Sequence, residues 1–192
     1  MRFDVEYLSG LSVETFDAVR HDRAAFSCGE DRIDNFLKIT ASKYVAGDVG
    51  RIYVAVEKDG GRLVGFYAVN PHSIDPSELG SDMIKRLPRL DRIPAFYLSM
   101  IGVHVETRGK GVGSFLLADA LKLCMRISDQ VGGRFIVLDA INDKAAKLYG
   151  SFDFVTLPSV PGRMVVSIAK LKATEAERVK RQSKKAGDDA AA

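Results

Sequence analysis

The sequence predicts a single α/β domain in which a mixed β-sheet is flanked by helices on both faces. Two continuous apolar runs, residues 96–105 and 135–138, are typical of strands buried on both sides of a sheet. The segment between them, residues 111–131, has apolar residues at the spacing of one helical face. Strand and helix signals alternate along the chain, which indicates layers of sheet and helix. A length of 192 residues with 46% hydrophobic content suffices for one core.

In the N-terminal half, alternation, helical spacing and turn residues define the elements. The predicted segments are a strand over 2–8, a short helix near 13–20, a helix over 30–47, and strands over 51–57 and 62–69 joined by a turn at 58–61. Acidic residues at the start of the long helix suit the positive end of its dipole. Asn70-Pro71 either ends the last strand or marks a sheet edge, because proline cannot donate to a ladder.

In the C-terminal half, apolar spacing and turn residues again define the elements. The predicted segments are a short helix over 76–87, a basic loop over 88–94, a central strand over 96–105, a helix over 111–131, a strand over 135–138, a helix from about 143 to 151, and strands over 152–157 and 163–171. Asn142 has the side chain of an N-cap for the helix that follows it. We expect one domain over residues 1–171 and a charged, flexible tail over 172–192, either a frayed helix or disordered.

Composition excludes several classes of protein. No apolar run reaches the roughly 18 residues of a membrane span, and the early acid at position 4 does not fit a signal peptide. Cys28 and Cys124 are far apart and the histidines lack ligand spacing, so we expect buried thiols and no metal site. These features favour the cytoplasm. The net charge is +3, and the cations gathered at 85–92 and in the tail suit either a polyanionic partner or a solvated face.

A glycine-rich turn between the central strand and the amphipathic helix carries the clearest functional signal. Backbone amides of such a turn point at one spot, and the helix dipole adds positive potential there. This arrangement can cradle a pyrophosphate, although a loop that only turns tightly would look similar. The Walker pattern and the dinucleotide-binding fingerprint are both absent. The turn reads Thr107-Arg108-Gly109-Lys110-Gly111-Val112-Gly113.

The pattern Arg108-x-x-Gly111-x-Gly113 resembles the acyl-CoA loop of the GNAT N-acetyltransferase superfamily, and it stands at the family's position after a central strand. The resemblance implies a mostly antiparallel GNAT-like sheet, acetyl-CoA as co-substrate and no metal. In that family the central strand splays from its neighbour and leaves amides free for pantetheine and the acetyl carbonyl. The cofactor contacts that the resemblance implies are Gly102, Val103, Val105, Arg108, Gly109, Lys110, Gly111, Val112 and Gly113.

A second GNAT signature is similar to Asn142-x-x-Ala145-x-x-x-Tyr149. It implies that Tyr149 protonates the CoA sulfur and that Asn142 contacts the cofactor. Helical periodicity alone favours a core position for Tyr149, and the signature favours the catalytic one. The family's glycine before the last phenylalanine is replaced by Asp153, which leaves the turn at that point open. No general base is evident.

A narrower resemblance, to the acetyltransferase toxins of type II toxin–antitoxin modules, covers roughly residues 1–170. It implies acetylation of the free α-amino group of aminoacyl-tRNA, which blocks translation, neutralisation by a ribbon-helix-helix antitoxin, and often a homodimer. The residues that carry it are Phe26-x-Cys28-x-x-x-x-Ile33-x-x-Phe36-Leu37, Gly65-Phe66-Tyr67 and Tyr149-x-x-Phe152-x-Phe154. The resemblance makes four basic residues candidates for binding the acceptor stem of the tRNA. We expect that binding to weaken as the salt concentration rises. The four residues are Lys85, Arg86, Arg89 and Arg92.

Two other functions stay open at the level of sequence. A GNAT enzyme can also act on a small amine, an antibiotic or a protein N-terminus. A non-enzymatic CoA-sensing or operator-binding role would not need the hydroxyl of Tyr149. An adjacent antitoxin gene and growth arrest on expression would separate the toxin from the first alternative. A full effect in vivo of Tyr149→Phe would favour the second.

Overall fold

The computed structural model of the chain describes residues 3–85 and 87–190. These residues form two compact units. The first comprises the described residues up to His72 together with Phe96–Leu123. The second comprises Ser73–Ala95 together with the described residues from Cys124 onward. Several elements cross these boundaries, and each unit has its own buried residues.

Helices and strands alternate along both units. The helices are α1 (Val5–Ser9), α2 (Asp31–Asn35), α3 (Ala41–Ala46), α4 (Ser81–Ile84), α5 (Val112–Val131), α6 (Asp143–Gly150) and α7 (Ile168–Ala190). The strands are β1 (Leu11–Thr15), β2 (Arg51–Glu57), β3 (Leu63–Ile74), β4 (Ile93–Val103), β5 (Phe135–Asp139), β6 (Val155–Thr156) and β7 (Arg163–Ser167). The strand pairings of both units are antiparallel wherever a register is given below, and the predicted α/β class with a mostly antiparallel sheet is confirmed.

In the first unit the strands lie in the order β1-β2-β3-β4. β1 pairs antiparallel with β2, from Leu11↔Glu57 onward, and β2 pairs antiparallel with β3. Apolar side chains of β2 and β3 pack against the helical segment 31–46. Phe66 lies at the centre of this core, with ring centroids 5.5 Å from Phe26 and 6.1 Å from Phe36. The core therefore fixes the helical segment, and the chain that precedes it, to one face of the strands.

In the second unit the strands lie in the order β5-β7-β6. β5 pairs antiparallel with β7 from Phe135↔Ser167 onward, and β7 pairs antiparallel with β6. α7 follows β7 without a loop, and the Ile168 amide donates to the Arg134 carbonyl at 3.1 Å. Among the described helices, none has both the length and the hydropathy that crossing a bilayer requires.

Two predictions for the N-terminus are wrong. The predicted strand over 2–8 contains α1, because the Asp4 carboxylate accepts a hydrogen bond from the Tyr7 amide at 3.0 Å and caps the helix. The predicted helix near 13–20 begins inside β1, and its second part is a turn in which Asp17 accepts from the Val19 amide at 2.8 Å. In both places a bond from an aspartate side chain to the backbone decides the local structure over the hydrophobic pattern.

Other boundaries differ more modestly. β3 continues past Asn70-Pro71, so the edge interpretation is the right one: β2 accompanies β3 only as far as Arg51↔Val69. The predicted helix over 76–87 is a 3-10 turn, Pro76–Glu78, followed by the short α4. A π-helical turn, Phe36–Thr40, interrupts the helix predicted over 30–47. The last strand ends at Ser167, so the tail predicted from residue 172 begins inside α7, and the domain boundary at 171 stays a prediction.

Candidate active site

The glycine-rich turn lies in the first unit, between β4 and α5. After β4 the chain forms a short 3-10 turn, Val105–Thr107, and α5 begins at Val112. Gly109 (φ 82°) and Gly111 (φ 91°) adopt the left-handed backbone conformation, which residues with side chains rarely adopt. The predicted strand–turn–helix arrangement is confirmed.

The start of α5 has backbone amides that lack a hydrogen-bond partner within the helix. A bond from the Phe115 amide to the Gly111 carbonyl, at 3.0 Å, opens the helical ladder. The amides of Gly111, Val112 and Gly113 precede that bond, and such amides have no partner within a helix. The dipole of a 20-residue helix adds positive potential at the same place. This donor set fits an anion such as the diphosphate of acetyl-CoA.

Two of the predicted cofactor contacts already have partners inside the first unit. The Val105 amide donates to the Ser27 carbonyl at 2.9 Å, which differs from the free amide that the family resemblance implied. The Arg108 guanidinium donates to the Cys28 carbonyl. Both residues therefore brace the turn, and a direct contact of either with the cofactor stays a prediction.

The supporting loop, residues 25–29, is the partner of this braced segment. His104 Nε2 lies 3.2 Å from the Ala25 carbonyl, next to the two contacts made by Val105 and Arg108. The carboxylate of Asp34, on α2, in turn accepts hydrogen bonds from the Cys28 amide at 2.7 Å and the Ser27 hydroxyl at 3.0 Å. Asp34 thus fixes the loop on which residues 104–108 rest.

Sequence reasoning missed this role of Asp34. Burial of the carboxylate opposes its ionisation, but hydrogen bonds from Cys28 and Ser27 outweigh burial, and the pKa of Asp34 is lowered. The sequence placed Asp34 only near the positive end of a helix dipole. The Phe26-x-Cys28 pattern marked the supporting loop, but its contacts lie far along the chain and leave no local signal.

The N-terminal arm, residues 3–10, packs against Lys110 and Gly111 of the glycine-rich turn. The Asp4 amide donates to the Lys110 carbonyl at 3.2 Å, and Lys110 Nζ lies 4.0 Å from the centre of the Tyr7 ring. A Cβ at Gly111 would lie 2.9 Å from Phe3. The glycine at this position is therefore required by close packing of the arm as well as by backbone conformation.

The end of β4 supplies the remaining predicted contacts of the first unit. Gly102 is buried, and a Cβ there would lie 2.9 Å from both Ile33 and Phe66. Packing against the core thus accounts for the glycine. Val103 is the last residue of β4 and is half-buried. Backbone contacts of these two residues with the cofactor stay predictions.

Tyr149 lies near the end of α6, in the second unit. Its side chain is buried, and its ring centroid is 6.1 Å from that of Phe154. Burial raises the pKa of Tyr149 to about 12, so the hydroxyl keeps its proton at neutral pH. Asn142 is the N-cap of the same helix, as predicted, and its side-chain oxygen accepts from the Ala145 amide at 2.9 Å. A cofactor contact of Asn142 stays a prediction.

The turn after α6 explains the departure from the family's glycine. Asp153 adopts a left-handed conformation (φ 67°), which aspartate tolerates better than most residues. Its amide donates to the Gly150 carbonyl at 3.1 Å, and its carboxylate lies 3.0 Å from Lys170 Nζ. Asp153 therefore takes the conformation that the glycine would supply, and the chain after Tyr149 turns without it.

The predicted tRNA-binding cations differ in their surroundings. Lys85 and Arg89 are exposed. Arg92 is held: its Nη2 donates to the Ser73 carbonyl at 2.9 Å, and its Nη1 lies 3.6 Å from the Asp75 carboxylate. Arg86 lies outside the described residues. Arg92 is thus anchored through a β3 residue, which distinguishes it from Arg89.

The predicted cofactor-binding residues 102–113 run from the end of β4 to the start of α5, in the first unit. Asn142 is the N-cap of α6 and Tyr149 lies near its end, in the second unit. Cys28 and Cys124 are buried, as predicted, and burial raises the pKa of each thiol to about 12. Within the described residues, no group of three or more His, Cys, Asp or Glu side chains is arranged to hold a metal ion.

Comparison with known proteins supplies the class. Residues 48–156, more than half of the chain, match the acetyltransferase (GNAT) domain. The chain is 41% identical over 167 residues to the "Probable toxin TacT" of Sinorhizobium fredii. The aligned region covers 83% of this chain and 92% of that protein. With the strand–turn–helix cradle in place, the chain belongs to the GNAT acetyltransferase superfamily, and the predicted acetyltransferase class is confirmed.

The particular branch follows from the relatives. The chain is 31% identical over 167 residues to the "tRNA-acetylating toxin" of Mycobacterium tuberculosis, covering 86% of this chain and 98% of that toxin. The structure of AtaT complexed with acetyl-methionyl-tRNAfMet has the same fold (TM-score 0.79, 21% identity, 85% of this chain and 98% of that one). A Tyr-to-Phe mutant of KacT also shares it (TM-score 0.80, 24% identity, 86% and 99%). The chain belongs with the acetyltransferase toxins, as its sequence indicated.

Proposed function

We propose that the chain transfers the acetyl group of acetyl-CoA to the α-amino group of aminoacyl-tRNA and so blocks translation. The observation that carries this proposal is the 31% identity to a tRNA-acetylating toxin over 98% of that toxin's length. AtaT, which has the same fold, is the protein solved with acetyl-methionyl-tRNAfMet.

The glycine-rich turn is the proposed acetyl-CoA site. The amides of Gly111, Val112 and Gly113 donate to the diphosphate, and Arg108 and Lys110 keep the local potential positive. Gly109 gives the turn its shape, the backbone of Gly102 and Val103 faces pantetheine and the acetyl carbonyl, and Asn142 adds a contact. When bound, acetyl-CoA supplies an acetyl thioester activated for attack by an amine.

Tyr149 is the proposed general acid. Attack by the neutral amine forms a C–N bond and breaks the C–S bond, so the departing sulfur needs a proton. Tyr149 donates it from the hydroxyl, which is protonated at neutral pH and stays so at higher pH because burial raises its pKa to about 12. The nitrogen loses its own proton to solvent, and the phenolate regains one from the same source.

The basic segment 85–92 is the proposed contact with the acceptor stem. Arg89 is exposed and able to reach a phosphate, whereas Arg92 is anchored to Ser73 and Asp75 and holds its charge in a fixed place. Lys85 and Arg86 add two further charges at one end of the segment. We expect loss of charge at Arg89 and Arg92 to lower activity on charged tRNA more than affinity for acetyl-CoA.

The proposal extends to partners and location. A ribbon-helix-helix antitoxin is the proposed inhibitor, supported by the structure of an AtaT mutant bound to the C-terminus of the antitoxin AtaR. A homodimer in the cytoplasm is the proposed working form.

The test is an acetyl-transfer assay on three proteins. The unmodified chain, Tyr149→Phe and the control Tyr53→Phe, which removes a phenol from β2, are incubated with labelled acetyl-CoA and with charged or deacylated bulk tRNA. We expect label on charged tRNA only, lost in Tyr149→Phe and kept in Tyr53→Phe. Label on a small amine or a protein N-terminus instead of charged tRNA would contradict the proposed substrate. Full transfer by Tyr149→Phe would contradict the proposed acid.

A further inference from the structure

The net positive charge of the chain lies at its C-terminal end. Residues 168–192 hold seven of the 28 basic residues and four of the 25 acidic ones, which leaves 21 of each in residues 1–167. The net charge of +3 therefore comes entirely from α7 and the residues that follow it. Because residues 1–167 carry no net charge, the charged C-terminal helix adds to the attraction that the basic segment 85–92 has for a polyanion.

The first turns of α7 are attached to the second unit. Lys170 Nζ lies 3.0 Å from the Asp153 carboxylate, and Lys172 Nζ lies 2.5 Å from that of Asp129. From residue 176 to residue 183 every side chain is exposed. The cations of the first turns are thus occupied by the unit itself, whereas Arg178, Lys180 and Arg181 are exposed to solvent.

Three cations of the outer helix are available to a partner. Arg178 and Arg181 are three residues apart and so lie on one side of the helix, and Lys180 adds an exposed cation at another side of the same turn. Arg178 lies 2.8 Å from Glu175 and Arg181 lies 4.0 Å from Glu177, both within the same helix. Exposed pairs of this kind are weak, so a phosphate can replace either carboxylate.

We propose that the outer part of α7, residues 173–183, docks on the phosphate backbone of the tRNA substrate as a second contact apart from the site of chemistry. The inference rests on the proposed function and adds a surface to it. A helix rises about 1.5 Å per residue, so this segment is about 17 Å long and can follow several phosphates. Because structured RNA is held largely through its backbone, the contact strengthens binding of every tRNA alike.

The test compares two triple charge reversals in the full chain. The first carries Arg178→Glu, Lys180→Glu and Arg181→Glu. The matched control carries Lys43→Glu, Lys122→Glu and Arg126→Glu, which reverses three exposed charges on α3 and α5. Binding of deacylated bulk tRNA is measured from about 50 to 200 mM salt, the range in which phosphate contacts dominate the affinity. A neutral version with Arg178→Gln, Lys180→Gln and Arg181→Gln shows whether the effect comes from lost positive charge or from repulsion by the new carboxylates.

We expect the α7 reversal to raise the Kd for tRNA about tenfold or more. The slope of log affinity against log salt concentration should become less negative by roughly two to three, because each lost phosphate contact removes about 0.9 from it. The control and the Kd for acetyl-CoA should change little, and so should acetylation of a 3′-aminoacyl-adenosine analogue. An unchanged tRNA Kd in both α7 variants, or an equal loss in the control, would overturn the proposal. So would variants that lose antitoxin binding and keep tRNA binding.

Failure of the proposed function would look different. If the unmodified chain acetylates neither charged tRNA nor the aminoacyl-adenosine analogue, the proposed reaction is wrong. If it acetylates the analogue normally while the α7 variants bind tRNA as well as the unmodified chain does, the reaction stands and the α7 contact falls.

Discussion

Tyr149 is both a buried residue and the proposed general acid. The same burial that gives it the periodicity of a core residue raises its pKa to about 12 and preserves its proton. A raised pKa means that the neutral phenol persists well above physiological pH. A general acid with this property should work across the whole neutral and mildly alkaline range.

We therefore expect the transfer rate to a stable amine acceptor to stay level or rise from pH 7 to pH 10, because Tyr149 remains protonated and the amine becomes neutral. Tyr149→Phe should lower kcat about 100-fold or more. Initial rates across that range, with acetyl-CoA binding by calorimetry as the control, test both statements. A rate that falls above pH 8 in the unmodified chain alone would assign the proton to another group.

Asp34 acts through its neighbours. Its ionised carboxylate holds the supporting loop, and its lowered folded pKa means that it stabilises the fold above the unfolded pKa, near 4. We expect Asp34→Asn to lower the free energy of unfolding by about 1–3 kcal/mol at neutral pH. That difference should shrink as pH falls through the lowered pKa.

Urea unfolding at several pH values checks this expectation. Asp31→Asn, an exposed change at the start of the same helix, is the control and should cost little. A difference that is constant with pH would show that the charge of Asp34 is not what holds the loop.

For single residues, the sequence predicts the structural role when the contacting groups are near in the chain. The cap at Asn142 and the glycine-rich turn follow from local chemistry. The contacts of Asp34 and the engaged amide of Val105 do not, because the supporting loop meets residues 104–108 only after the fold has formed.

The N-terminal arm shows the same limit for an element. Alternation predicts a strand there, but Asp4 caps a helix, and Phe3 then fills the space next to Gly111. Long elements such as α5 and β2 were predicted well because their patterns are long. The short ones depend on a single side-chain bond, which a periodic pattern does not contain.

A comparison of two glycines measures how the arm packs. Both glycines have a positive φ, so an alanine at either position would strain the backbone. The new Cβ of Gly109→Ala would have no atom within 4 Å, whereas that of Gly111→Ala would lie 2.9 Å from Phe3. We expect Gly109→Ala to cost about 1–2 kcal/mol of stability and Gly111→Ala more. Adding Phe3→Ala should recover the excess of Gly111→Ala, as judged by thermal unfolding. Equal losses for the two glycines would mean that the arm does not press on the turn.

One buried cysteine lies in each of the two units. Cys28 belongs to the first and Cys124 to the second, and both thiols are buried with a raised pKa. A buried neutral thiol reacts slowly, because the thiolate is the nucleophile. Each thiol thus reports on the integrity of the packing around it.

We expect both cysteines to resist a thiol reagent at pH 8 in native buffer and to react only when urea unfolds the structure around them. Cys28→Ala and Cys124→Ala isolate one signal each, and mass spectrometry counts the labels. Rapid labelling of either thiol without urea would contradict its burial.

The beginning of the chain is tied to the cofactor turn through the Asp4 amide and the packing of Phe3 and Leu8 around Gly111. Coupling between two segments is reciprocal, so a ligand that steadies one also steadies the other. Deuterium uptake by the amides of residues 4–10 should consequently slow when acetyl-CoA is present. A peptide from the first residues of the sequence then becomes a reporter of occupancy at a turn that lies far along the chain.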